Sequence, residues 1–361
     1  MSPILSKPES LYTAGIKKKI LIITCLFILL FLTTIYALNS GSYHLPFDRI
    51  LTILIQSITN PGLLENTPSE KIVVIDFRLP RVLLAILTGI SLAIAGCVMQ
   101  ALLRNPLVSP FTLGLSSAAS FGAAMAIVFG ASLLPFIPPE FQNGIIILCA
   151  FLLGWLSIFL IYGISRMKGS SSATLILAGV VIGYIFTAGV MILKYLTNDE
   201  NLREITLWLM GGMWGANWGA IVIVAPITIL CFLYLESLAW DLNTLAAGDD
   251  VAKNLGVNVN RLRIKGLLVS TLAASACLAF TGIIGFIGLM GPHIGRMLIG
   301  NDNRYLIPCS ALLGALVLLV SDTAARTIMD PIEIPVGVIM YVIGGIFFMF
   351  LILRGKHRMI T

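Results

Sequence analysis

The chain has 361 residues, of which 58% are hydrophobic and only 11% charged, and its mean hydropathy is +0.99. A soluble domain carries about 25% charged residues, so the composition excludes an ordinary soluble fold and reads as an all-α polytopic membrane protein. The net charge of +6 does not point to nucleic acid, because the cations cluster at the ends of apolar runs.

In chain order, Lys17, Lys18 and Lys19 precede a first apolar run at 20–38. That run is too long for a usual secretory h-region and has no convincing cleavage site, so it reads as a retained helix. Further runs at 82–103, 111–134, 143–165, 173–196, 217–236, 305–321 and 335–353 each have about the length a bilayer requires. The interval 39–77 holds a short apolar piece at 50–58, and 198–205 is polar enough for a short helix before Trp208 and Trp214. The run 266–299 is 34 residues long, about 50 Å as one straight helix. Its glycines and Pro292 predict two spans joined near 281–285, hence ten spans in all. With ten, both termini are cytoplasmic and 16 of the 23 Lys and Arg fall inside. The domain reading is a cytoplasmic segment 1–19, one membrane domain 20–353 and a cytoplasmic tail 354–361. A cation, a glycine and a proline recur as Arg81, Gly96, Pro106 and as Lys265, Gly282, Pro292. The two copies start on opposite sides, as an inverted repeat requires.

The longest polar interval deep in the chain, 240–265, reads as two short helical pieces. Asp241 or Asn243 is placed as a first cap, Gly248 as the break, Asp249 and Asp250 at a second N-terminus, and Gly256 at its C′ end. Leu245, Val251, Leu255 and Val257 give the pair an apolar face, so it is either a handle for a partner or a surface loop. Arg78-Leu-Pro-Arg81 opens the second span, its cations on one face. A plain reading of them is headgroup anchors. Arg326 with Glu333 precedes the last span, where an internal ion pair is favoured.

Gln100 lies within the membrane thickness, where an amide needs a partner or a water-lined path. Arg104-Asn105-Pro106-Leu107 follows it as a turn. In Gly291-Pro292-His293-Ile294-Gly295-Arg296, Pro292 frees a backbone carbonyl that His293 or Arg296 is placed to satisfy, and His293 reads as structural rather than catalytic. Ser170–Ser172 read as N-caps. The chain has no phosphate-binding GxxxxGK[ST] loop and no catalytic, metal or cofactor motif. The six cysteines form no CxxC pair and read as buried apolar residues. The scarcity of midplane carboxylates counts against an ion-coupled secondary carrier and for energy supplied by another subunit.

Together, 78–117, 175–183, 208–218, 245–257, 282–304 and 321–338 resemble the vitamin B12/iron-siderophore permease family, the BtuC/FecCD-type membrane subunits of type II ABC importers. The resemblance runs from about residue 70 to the end. It implies ten helices, a homodimer or close heterodimer with the pathway between subunits, no cofactor, and no enzymatic activity of the chain's own. Two ATP-binding cassette subunits are implied on the cytoplasmic side and a substrate-binding protein on the other face of the cell inner membrane. By position, Arg78, Arg81 and Arg326 match arginines that pair with glutamates of the binding protein. Leu245, Ala246, Gly248, Asp249, Asp250, Ala252, Leu255 and Gly256 match the coupling helices. Gln100 is placed on the pathway; Asn105 and Leu107 match one inner gate, and Ser172 and Ala173 another. There Ala173 stands where the family can carry a hydroxyl. The cargo implied is a metal chelate, first an iron(III)-siderophore, with haem, cobalamin or molybdate as alternatives.

Overall fold

The computed structural model describes residues 6–41, 43, 45–59, 68–133, 138, 141–167 and 171–354, and among these it is helical with no strand. In order come α1 (Ser6–Asn39), α2 (Phe47–Thr59) and α3 (Pro68–Lys71), which runs through a π-helical stretch (Ile72–Arg78) into α4 (Leu79–Leu103). Then come α5 (Leu115–Leu133), α6 (Gln142–Met167), α7 (Ser172–Leu196), α8 (Asp199–Met210) and α9 (Trp218–Ser237). The short α10 (Ala239–Ala246) and α11 (Asp249–Asn254) precede α12 (Val259–Thr281), α13 (Ile287–Ile299), α14 (Asn303–Thr327) and α15 (Val336–Arg354).

Eight helical stretches among the described residues are long and apolar enough to cross a membrane. α5 is a shorter apolar helix of the same character. α13 differs from expectation. The run 266–299 does break where glycines allow it, after Thr281, but the second half is only 13 residues, about 20 Å. A non-helical link, 282–286, joins α12 to α13. Such non-helical backbone is tolerated at depth when protein buries it. Here Ile284 is buried, and the link is tied to α8 by the Ile283 N–H donating to the Trp208 carbonyl at 3.4 Å. Among the described residues, eight long apolar helices thus stand beside the shorter α5 and α13.

Residues 6–19 of the expected N-terminal segment belong to α1, which has 34 residues, about 51 Å, and is longer than a hydrocarbon core of about 30 Å. Residues 355–361 of the expected tail lie outside the described residues, as do Ser170 and Lys168.

α4 is the hub. Its most apolar window is 78% buried, against 67% for α12, 72% for α14 and 11–33% for the outlying spans α1, α6, α7, α9 and α15. Lipid is as apolar as leucine, so helices in a membrane associate through close packing at small residues. A Cβ on Gly96 would fall 1.9 Å from the Gly288 carbonyl oxygen of α13, and one on Gly89 would fall 2.4 Å from that of Gly314 in α14. Arg263 of α12 reaches the Leu102 carbonyl, while Cys277 lies against Leu87. α4 and α12 therefore run antiparallel, and the bundle has two polar ends. Arg78 marks one and α10–α11 the other.

Candidate functional site

At the arginine end, the π-helical stretch delivers Arg78 and the first turn of α4 delivers Arg81. All three expected arginines are there, but they face inward. Arg81 binds Asp322 at 3.0 Å and Glu333 at 2.8 Å. Asp322 is completely buried and also pairs with Arg326 at 3.3 Å, one helical turn along α14. The expected ion pair of Glu333 exists, with Arg81 rather than Arg326. Arg78 donates to the Leu38 carbonyl at 2.9 Å and to that of Tyr43 at 2.5 Å; Arg326 donates to Ser40 at 3.2 Å and Ala37 at 3.3 Å. The last carbonyls of a helix have no partner within it and carry the negative end of its dipole. Two guanidiniums therefore close the C-terminal end of α1. Arg78 and Arg326 are each only 6% exposed. A cavity of about 390 Å³ remains beside them, lined also by Tyr43, Phe77 and Trp214.

At the opposite end, α10 and α11 form the expected pair of short helices. Gly248 separates them at φ +120°. Gly256 stands at C′ with φ +88°, its N–H donating to Lys253 and that of Val257 to Ala252. This is the double bond of a Schellman close. Asp249 and Asp250 occupy the first turn of α11 as expected. Asp249 does more than cap: it binds Arg263 at 2.9 Å and lies 3.7 Å from Arg104.

Two expectations about this knob are corrected. Neither Asp241 nor Asn243 caps α10, which follows α9 through Leu238 with no side-chain cap. Asn243 instead accepts from the Asn303 N–H at 2.8 Å and donates to Asp302 at 2.8 Å, fastening α10 to the start of α14. Arg304 adds a contact, 4.1 Å over the Trp240 ring, and holds the Asp302 carboxyl well below the usual range, at about 2. The apolar face is also split. Leu245 and Ala252 are fully buried against the chain's own core, whereas Leu255 is 68% exposed and Val251 is exposed beside it. Ala246 is exposed too.

Between the ends, Gln100 resolves the fate of the proline in α13. Pro292 has no N–H, so the Gly288 carbonyl four residues earlier lacks its helical donor. Gln100 Nε2 donates to that carbonyl at 3.1 Å, and Gln100 Oε1 accepts from Arg296. The freed carbonyl is satisfied from α4, not by His293 or Arg296. Gly291 packs against Ala93 and Ser310, and His293 sets its ring edge-on to Phe347 and Phe348 at 6.0 Å each.

Comparison with known proteins settles the family. The model of the FecCD transport family matches residues 28–354. The chain belongs to the FecCD transport family. The Fe(3+)-citrate import system permease protein YfmE of Bacillus subtilis is 35% identical, over 93% of this chain and 96% of that one. The hemin transport system permease protein HmuU of Yersinia pestis is 41% identical, over 79% and 84%. A solved structure described as an inward-facing conformation of a metal-chelate type ABC transporter superposes with a TM-score of 0.79 at 32% identity, covering 92% of this chain and 99% of that one. This chain is thus a multi-pass membrane protein and an ABC importer permease.

In this FecCD protein the expected gate segments both lie at the knob end. Asn105 Oδ1 accepts from the Leu107 N–H at 2.9 Å, an Asx turn that leaves Leu107 exposed. Ser171 caps α7 by accepting from the Thr174 N–H, with Ser172 half-buried and Ala173 exposed just inside the helix. Asp322, Asn243 and Asp302 were missed as organising residues. The i, i+4 spacing of Asp322 and Arg326 carried the first signal; nothing local to Asn243 announces a partner 60 residues away.

Proposed function

We propose that this permease moves a metal chelate, an iron(III)-siderophore first, from an extracytoplasmic binding protein across the plasma membrane, using ATP hydrolysed by two separate cassette subunits. The observation that supports it most is the family match across nearly the whole chain, with relatives whose names carry ferric citrate and haemin. Haem, cobalamin and molybdate are the alternative cargoes on the same scaffold. The knob end faces the cytoplasm with both termini, and the arginine end faces the binding protein. A second permease copy completes the pathway, with Asn105, Leu107, Ser172 and Ala173 at its inner mouth and Gln100 bracing the helix beside it.

The ATPase seat is formed by Ala246, Gly248, Asp250, Val251, Leu255 and Gly256, while Leu245, Asp249 and Ala252 hold the knob to the bundle. Leu255→Asp puts a carboxylate into an apolar seat, where an unpaired buried charge is strongly unfavourable. Capture of the ATPase and uptake of radiolabelled ferric siderophore are expected to fall together, with membrane yield unchanged. Parent-level capture and uptake in Leu255→Asp would sink the coupling assignment. Uptake that is absent for every ferric chelate tested but present for cobalamin or molybdate would sink the cargo.

A further inference from the structure

A second polar cavity lies at the knob end, between α4, α10, α13 and the turn into α14. It has a volume of about 270 Å³ and is open to the surface. Arg104, Asn105, Arg296 and Asn301 line it, Leu242 and Ala246 of α10 contribute to its wall, and no carboxylate does. Its cations lack proper counter-charges. Arg296 is half-buried and donates to the neutral Gln100 amide; among the described residues no other acceptor is bonded to it and no carboxylate lies within 4.0 Å of it. Arg104 ends α4 in the left-handed region, at φ 51°, which non-glycine residues rarely adopt. Its one acid, Asp249, stands 3.7 Å away and is already bound by Arg263 at 2.9 Å. Asn105 spends its carbonyl oxygen on Leu107, which leaves its NH₂ group as a donor.

A guanidinium partly withdrawn from water, without an anion, is in an unfavourable state. Two of them, arriving on different helices with amide donors between, match an anion that accepts on several sides. A phosphate-type group does so, and the planar forks of arginine suit it. A single side-chain carboxylate offers fewer acceptors, and the cavity is larger than a lone halide needs. We propose that this cavity is an oxyanion site that holds a phosphate-type group between Arg104 and Arg296 and thereby fastens α10 to α4 and α13. The group comes either from free phosphate or from the headgroup of an anionic phospholipid at the membrane edge. This goes beyond the transport reading and does not depend on it.

The test is thermal unfolding of the purified full chain in nanodiscs. In phosphatidylcholine discs, sodium phosphate is titrated against sodium chloride at constant ionic strength. In a second arm, phosphatidylglycerol replaces part of the lipid and no phosphate is added. The expected result is a saturable rise of Tm in one arm or both, identifying the source. Arg104→Gln and Arg296→Gln should each raise the half-saturating phosphate concentration roughly tenfold or more, the loss of one charge-assisted contact. In the lipid arm the same variants should abolish the rise. Arg104 ends its helix with its side chain 48% exposed, so Arg104→Gln carries the test if Arg296→Gln fails to fold. An equal Tm rise in parent and Arg104→Gln, or none in either arm, overturns the proposal. If neither arm shifts the parent, yet Arg104→Gln loses capture of the ATPase subunit, the anion is a partner's carboxylate and the oxyanion site is wrong.

Discussion

Gln100→Leu is the change that tests the centre of the bundle most directly. The side chain is buried and makes two bonds, one to the Gly288 carbonyl freed by Pro292 and one from Arg296. Leucine matches its size but removes both. An orphaned buried carbonyl costs about 1–3 kcal/mol and a lost bond to a charged group about 1.5–3 kcal/mol. Side-chain bonds inside membranes have measured nearer 0.6 kcal/mol, because the unfolded chain in the membrane also finds partners. Together these place the loss at about 2–5 kcal/mol. The diagnostic step is to repeat it in Pro292→Ala. Alanine restores the N–H four residues after Gly288, so the carbonyl regains a helical donor and only the Arg296 part of the loss remains. A double-mutant cycle, read by reversible denaturant unfolding in mixed micelles, should show Gln100→Leu costing about 1–2 kcal/mol less in the Pro292→Ala background. Additive losses within about 0.5 kcal/mol would mean that Gln100 does not answer the proline.

Arg81→Glu should fail to give folded protein, not merely weaken docking. It removes the cation from a pair whose partner Asp322 is fully buried, a loss of about 3–5 kcal/mol, and sets a third carboxylate beside it. Fluorescence-detected size exclusion reads the yield, and parent-level yield would show that the network is dispensable. Gly96→Ala should destabilise by about 1–3 kcal/mol or more, since its Cβ would fall 1.9 Å from the Gly288 oxygen and that neighbour is backbone; an unchanged Tm would refute the close crossing of α4 and α13. Asp302 gives a pH signature. Its folded pKa, about 2, is below the ordinary 3.8. Its stabilisation is therefore fully present above about pH 4 and is lost as pH falls toward 2. Asp302→Asn should lower Tm at pH 7 and narrow its gap to the parent as pH drops below 4; a gap independent of pH would exclude the carboxylate.

How much of this was legible follows from the range of the signals. Apolar length and turn residues are local, so the long spans, the break after Thr281, the two helices of the knob and the cap at Gly256 could all be read. The length of α13 could not. Ile287–Ile299 is as apolar as its neighbours, and what shortens it is the non-helical link held by Trp208 of α8 and packed against Gly337 of α15, two elements distant in sequence. The same applies to Gln100, whose partner carbonyl is 188 residues away, and to Leu245, whose apolar character fitted a partner's groove as well as the chain's own core. The family resemblance added what local patterns could not, an expectation of which segments carry function. It did not say which side chains in those segments point inward.

That distinction changes how the arginine end can meet a binding protein. Arg78, Arg81 and Arg326 sum to +3, and Asp322 and Glu333 return −2, so the cluster offers a net +1 where three free arginines would offer +3. Two of the guanidiniums are already bonded to the end of α1. An incoming carboxylate must therefore compete with Glu333, the more exposed of the two acids, or enter the cavity beside Trp214 and accept from N–H groups left over. Exposed pairs of this kind contribute about 0–1 kcal/mol each, while the field of the cluster acts at a distance, though screened within about 8 Å at physiological ionic strength. If the proposed docking holds, the contribution of this end to it would lie in steering and register rather than in tight pairing. Its contribution to stability, through the buried Asp322 and the closed end of α1, is the larger of the two.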